Sequence, residues 1–211
     1  MKKNLLSLAV AASAAGITGI ATAQMYMNGE HTGEALVFPF YSAQGGNDTT
    51  IHIVNTTSDY KAVKVRMLEG EKSLETLDFN LYMSPKDHFS FAITADGDGS
   101  KLITNDTSCT VPAITAAVPF THVLWAGEEG SGEAREQIGF IEVIEMGQID
   151  PNSVTAGNIK HSEGTPGDCS QLVANWSPSV DGVEGAWHDE ASAELAGSGG
   201  SSVGTTDFEL T

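Results

Sequence analysis

Apolar and polar residues alternate with a period of two through much of the first half of the chain, the pattern of strands with one face buried and the other wet. In TTIHIVN (49–55) Ile51 and Ile53 alternate with Thr50 and His52. The polar turn NTTSD follows, where Asn55, Ser58 and Asp59 have side chains short enough to hydrogen-bond nearby backbone. YKAVKVRMLEG then puts Val63, Val65 and Met67 on one face and Lys64 and Arg66 on the other. SLETLDFNLYM alternates Leu77, Phe79 and Leu81 with Asp78, Asn80 and Tyr82, and the proline-led turn SPKD (84–87) precedes Phe89, Phe91 and Ile93. Consecutive half-buried strands joined by short polar turns predict an all-β protein, an antiparallel β-sandwich of the immunoglobulin-like kind.

EALVFPFY (34–41) is apolar on both faces and is expected to be buried, yet Pro39 cannot donate to a ladder, so the run belongs at a sheet edge or a strand end. FTHVLW (120–125) and QIGFIEVIEMG (137–147) read as strands, the second with large apolar residues on both faces and therefore central and covered on both sides. Between them AGEEGSGEARE, rich in glycine and acid, predicts a long solvated hairpin loop. Residues 148–171 read as loop and 172–176 as a last short strand. The β-sandwich domain is thus expected over 24–180. Over 181–211 the composition shifts to Gly, Ser, Ala and acid, which predicts an irregular, flexible tail or linker.

The first 23 residues follow a different pattern. Lys2 and Lys3 precede an apolar run over 5–20 that ends in Ala21-Thr22-Ala23, the layout of a secretory signal peptide with a small-residue cleavage site. A membrane anchor is the alternative, but Ser7, Ser13, Gly16 and Gly19 dilute the run and no basic stop-transfer flank follows. The chain is therefore expected to be exported, to the periplasm, the cell surface or the medium. No segment after signal cleavage is apolar enough to span a membrane.

Charge and cysteines narrow the partners. With 28 acidic against 10 basic residues the formal charge is −18, which repels phosphate backbones and argues against nucleic acid, while favouring solubility and divalent cations. Cys109 and Cys169 fit one disulfide in an oxidising compartment, two free thiols being the alternative. No CxxC and no histidine at finger spacing accompany them, so a zinc site is not expected.

Few residues carry candidate chemistry. Asp96, Asp98 and Ser100 in DGDGS stand at the i, i+2, i+4 spacing that lets a tight loop aim three oxygens at calcium. The loop is not an EF-hand, since Lys101 replaces the required glycine and Thr107 the required glutamate, and a plain hairpin turn explains the same residues. Calcium is the only cofactor these residues suggest. The histidines at 31, 52, 88, 122, 161 and 188 contain no H-x-x-x-H pair, and His52, His88 and His122 fall at polar-facing positions of predicted strands. There is no G-x-S-x-G elbow, and Ser84 sits beside Pro85 in a turn. Asp87 and His88, adjacent in an extended run, point to opposite faces and cannot polarise each other. No catalytic residue is predicted. Trp125, Trp176 and Trp187 could offer aromatic faces to a sugar, but the first two lie in strand-like runs and read as core.

The motifs of the first half also resemble a family of exported proteins of Gram-negative bacteria described as uncharacterised or cell-surface proteins. The shared features are the Asn-Thr-Thr turn (Asn55, Thr56, Thr57), the Lys-Ala-Val-Lys-Val-Arg strand (Lys61 to Arg66) and the hairpin carrying Asp78, Phe79, Asn80, Tyr82, Ser84, Pro85 and Asp87. The resemblance covers about residues 36–110 and implies a place outside the cytoplasm, with no activity or catalytic residues attached. The expected function is a structural, adhesive or assembly module without catalysis. Its partners would be other surface proteins, or a second copy paired through the edge strand at Glu34. The alternative is a calcium-assisted polysaccharide-binding module with Asp96 and Asp98 on the metal.

Overall fold

The computed structural model describes residues 32–127 and 132–176 together with the backbone of 208–209. The described strands and helices all lie in the compact unit Gly33–Thr211. In chain order its strands are β1 (Ala35–Ser42), β2 (Thr49–Val54), β3 (Tyr60–Glu69), β4 (Glu75–Met83), β5 (His88–Asp96), β6 (Gly99–Ile103), β7 (Cys109–Val111), β8 (Ala117–Pro119) and β9 (Ile138–Ile149). Helix α1 (Val154–Ile159), the small hairpin β10 (His161–Ser162) and β11 (Thr165–Pro166), helix α2 (Ser170–Trp176) and β12 (Phe208–Glu209) follow. Among the described residues no helix is long and apolar enough to cross a membrane.

Two antiparallel sheets pack face to face, in the orders β1-β9-β3-β4-β7 and β2-β5-β6-β8, with β12 also on β9. The chain is therefore the antiparallel β-sandwich that the period-two pattern predicts. Its strand order is its own: β2 and β5 neighbour each other as in an immunoglobulin constant domain, but β1 lies on β9 and β4 on β3. β12 pairs Phe208 with Ile149 and Glu209 with Gln148, giving the end of the expected tail a place on the large sheet. The expected signal peptide (1–23) and residues 177–207 lie outside the described residues.

The inward positions are the ones alternation selects. Ile51, Val63, Val65, Phe79 and Phe91 are all buried, and Phe79, Phe89 and Phe91 bring their rings together from both sheets with centroids 5.8–6.4 Å apart. Each fully buried phenylalanine contributes about 2–3 kcal/mol through area removed from water, and the two edge-on pairs that Phe79 makes with Phe89 and Phe91 each add about 0.5–1.5 kcal/mol.

The outer face of the large sheet is divided in two. Toward one end, alternating basic residues of β3 pair across the ladder: Lys64 with Asp78, and Arg66 with Glu75 at 2.8 Å and Glu142 at 3.2 Å. Toward the other end a second apolar cluster forms from Ala62, Tyr82, Ile149 and Cys109 under Ala156, Ile159 and Leu172 of the two helices. Tyr82, expected on the polar side with Asp78 and Asn80, is wholly buried there because α1 and α2 cover its end of the sheet.

Four sequence expectations are corrected. Residues 172–176 form part of helix α2 and not a strand, and 148–171 is only partly loop, since it holds α1 and a hairpin. The Ser153 hydroxyl starts α1 by accepting the Ala156 N–H at 3.0 Å, which satisfies one of the free donors of its first turn. FTHVLW is not a strand: it leaves β8 and closes into a 3-10 turn at Val123–Trp125. β1 and β9 are not covered on both faces. β1 sits at the sheet edge with Leu36 and Phe38 packed on the core while Val37 and Phe40 face out, and in central β9 Ile144 remains 40% exposed.

Candidate functional site

The predicted cation loop is the β5–β6 hairpin turn. Asp96 pairs with Gly99 across a two-residue turn whose first residue, Gly97, takes φ +61°, as a type II′ turn requires. The structure does not bring the three oxygen donors together. Asp96 and Asp98 are exposed, with the Asp96 carboxylate 3.1 Å from the Lys101 ammonium, whereas Ser100 is buried and its hydroxyl has no hydrogen-bond partner among the described residues. No three His, Cys, Asp or Glu side chains among the described residues are grouped as a metal site needs. The predicted disulfide is present: Cys109 and Cys169 are bonded, with Cα atoms 5.2 Å apart, and tie α2 to β7.

A second set of charges lies where the sequence suggests a solvated loop. The segment Glu133–Gln137 is a 3-10 turn whose Arg135 and Glu136 are buried. Arg135 lies 3.0 Å from the Glu69 carboxylate and its guanidinium stacks 4.8 Å above the Trp125 ring. Glu69, at the end of β3, also accepts the backbone N–H groups of Glu71, Lys72 and Leu74 at 2.8–3.0 Å. Burial pushes this carboxyl up, but the three N–H donors and Arg135 outweigh it and leave Glu69 titrating below its ordinary value. The Glu136 carboxylate accepts the Ser100 N–H at 3.0 Å and lies 3.3 Å from His122 Nδ1, while its carbonyl accepts the Tyr41 hydroxyl at 3.0 Å. Gly99 permits this approach, since a Cβ there would stand 2.4 Å from a Glu136 oxygen. Both carboxylates are engaged by backbone donors, so the cluster fastens this segment to the two sheets.

A third group stands at the turns that carry the sequence motifs. His161 Nδ1 lies 3.2 Å from the Ser84 hydroxyl and 3.3 Å from the Asp87 carboxylate. A proton relay would need serine and carboxylate on opposite ring nitrogens, whereas here both approach the same one. The arrangement latches the β10–β11 hairpin onto the β4–β5 turn. On the solvent face of the small sheet, His52 Nδ1 lies 3.0 Å from His88 Nε2. Neither the His161 contacts nor the His52–His88 pairing is visible in the sequence, because the partners are 36 or more residues apart; the pair meets through the β2–β5 register and His161 through the seating of its hairpin on the β4–β5 turn. His122 is not on a strand; it precedes the 3-10 turn.

The remaining candidate is apolar. β1 is the outermost strand of the large sheet, and Val37 and Phe40 are 63% and 61% exposed. The register with β9 shifts between Phe38 and Tyr41, around Pro39, which turns Phe40 outward and Tyr41 into the core. Ala35 pairs with Ile144, so the exposed apolar surface continues from β1 onto β9.

The geometry defines an all-β sandwich with two short helices on one face, the second tied to β7 by a disulfide, and an apolar edge strand. No family model, no curated protein and no solved structure matches the chain.

Proposed function

We propose that this chain is an exported structural module without catalytic activity, working in the periplasm or at the cell surface by pairing with a second copy of itself along β1. The edge strand carries the reading: it is outermost in its sheet and turns Val37 and Phe40 to solvent. A strand edge offers backbone donors and acceptors in a row, and a second strand laid along it gains ladder hydrogen bonds while covering the apolar side chains. The leader over 1–23, the disulfide and the resemblance to exported cell-surface proteins support a place outside the cytoplasm. The formal charge of −18 opposes self-association, so pairing should strengthen as salt screens it.

Light scattering over rising protein concentration, at low and moderate salt, tests the proposal. Assemblies larger than one chain are expected, with Val37→Lys and Phe40→Lys each shifting them to monomer while the circular dichroism spectrum is unchanged. A monomer at every concentration and salt would overturn it, as would assemblies indifferent to both substitutions.

A further inference from the structure

Three connections of the chain meet around an open groove of about 490 Å³, within the range of about 300–1,000 Å³ usual for small-ligand sites. The β4–β5 turn and the start of β5 bring Asp87 and His88, the β6–β7 loop brings Asn105, Asp106 and Thr107, and the β10–β11 hairpin brings His161. Most of these side chains are held from behind by a second residue. The Asp106 carboxylate accepts the N–H groups of Ser90 and Ser108 at 3.2 and 3.0 Å, and the Thr107 hydroxyl donates to the Gly164 carbonyl at 2.9 Å. His161 turns Nδ1 to Asp87 and Ser84, which leaves Nε2 for a ligand. The polar atoms are thus set in place beforehand, and that lowers the ordering cost of binding.

His88 is held by His52. Their nitrogens, His88 Nε2 and His52 Nδ1, lie 3.0 Å apart with ring centroids at 5.3 Å, the in-line geometry of one N–H···N hydrogen bond. A neutral imidazole has one N–H and one bare nitrogen. Whichever ring donates, the two outer nitrogens, His52 Nε2 and His88 Nδ1, therefore present one donor and one acceptor.

We infer that this groove binds a neutral saccharide, without calcium. A sugar hydroxyl is donor and acceptor at once, so its site must offer both kinds of partner at short spacing. Asp106 supplies acceptors, the Asn105 amide supplies both kinds, and the imidazoles of His88 and His161 add further nitrogens. Anionic ligands are opposed by Asp87 and Asp106, while the ammonium of Lys86, which also borders the groove, is engaged by the Thr56 carbonyl. No large aliphatic side chain lines the groove to hold an apolar ligand. Asn105 and Asp106 also border a second groove, of about 470 Å³, that passes His52 and Thr50 on the face of the small sheet. An oligosaccharide can therefore continue along the same wall. The site is separate from the Asp96–Gly99 turn and from β1, which lies in the other sheet, so the inference rests on neither a bound cation nor assembly through that edge.

The test applies the full chain to an array of neutral oligosaccharides that includes maltohexaose, cellohexaose and chitohexaose, with oligogalacturonate as the anionic counterpart, in the presence of a calcium chelator. Calorimetry then measures affinity for the strongest neutral binder. At least one neutral oligosaccharide should bind, and more tightly than oligogalacturonate. Asn105→Ala and His88→Ala should each weaken it by about tenfold or more, through lost hydrogen bonds, while Asp96→Ala leaves it unchanged. Because Asn105 and His88 are exposed, melting temperatures without ligand should stay at the wild-type value. Absence of binding to every neutral oligosaccharide would overturn the inference. So would binding that the chelator abolishes, a preference for oligogalacturonate, or an affinity indifferent to both groove substitutions.

Discussion

The side-chain amide of Asn55 donates to the carbonyl of Ser84 at 2.9 Å, joining the β2–β3 turn to the β4–β5 turn. The same amide donates to the Asp59 carbonyl at 2.7 Å, and its oxygen accepts the N–H and hydroxyl of Thr57. The Asn55 backbone N–H reaches the Asp87 carbonyl at 2.9 Å, and Asp87 in turn accepts the Ser84 N–H at 3.0 Å. The Asn-Thr-Thr and Ser-Pro-x-Asp motifs are thus two halves of one hydrogen-bonded brace across the end of the sandwich, and their chemistry is structural.

Replacing Asn55 by Ala should therefore cost about 2–3 kcal/mol, because it removes the four hydrogen bonds that this buried side chain makes. For a domain of this size the melting temperature should fall by about 4–12 °C. Thermal unfolding measures this. A loss below about 0.5 kcal/mol, the level of an ordinary surface substitution, would contradict the brace.

Glu69 makes a pH-dependent contribution with a defined sign. Its carboxyl titrates below its ordinary value in the folded chain, so its stabilisation is complete above pH 4.5 and is lost as the pH falls through the lower folded value. Glu69→Gln removes the buried counter-charge of Arg135, leaving only the exposed Glu71 carboxylate at 3.4 Å, and should cost about 3 kcal/mol at neutral pH. The difference in melting temperature between wild type and variant should narrow as the solution is acidified below that point. A constant difference across the acid range would argue against the pairing.

Tyr41 and Tyr82 behave in the opposite sense. Burial pushes both phenols well above their ordinary value of 10.0. A raised folded-state value means that the stability they contribute is present below pH 10.0 and is lost as the pH rises past it. In an alkaline titration followed by phenolate absorbance, these two should stay neutral in the folded protein and ionise only with unfolding. Replacement by Phe should remove the step, and a smooth titration of all tyrosines in the folded state would refute the assignment.

The disulfide closes a span of 60 residues and covers the second apolar cluster. On the chain-entropy account its removal by Cys109→Ser with Cys169→Ser should cost about 4 kcal/mol. Amide hydrogen exchange should rise first in α1 and α2, whose packing rests on the small cluster, before it rises in β3, β4 and β9. Uniform acceleration across both sheets would show that the helices are not a separate unit.

The sandwich core was legible residue by residue. Period-two alternation assigns Ile51, Val63, Val65, Phe79 and Phe91 to one face because neighbouring side chains on a strand must point to opposite sides, whatever the partner strand. The cysteine pair could be read from composition, and the edge position of β1 from Pro39, since a missing N–H is a local fact. Arg135 and Glu136 could not be read this way. Charged residues among glycines signal solvent unless a distant Glu69, Trp125 or Ser100 arrives to engage them, and that arrival is decided by how the two sheets pack. Helix α2 was hidden for a related reason: a seven-residue segment has too little local preference to declare itself, and its conformation is fixed by Tyr82, Ile149 and the disulfide beneath it. The histidines show the division most plainly. The chain alone places His52 and His88 on the wet side of two strands, and only the antiparallel register of β2 with β5 sets their ring nitrogens 3.0 Å apart.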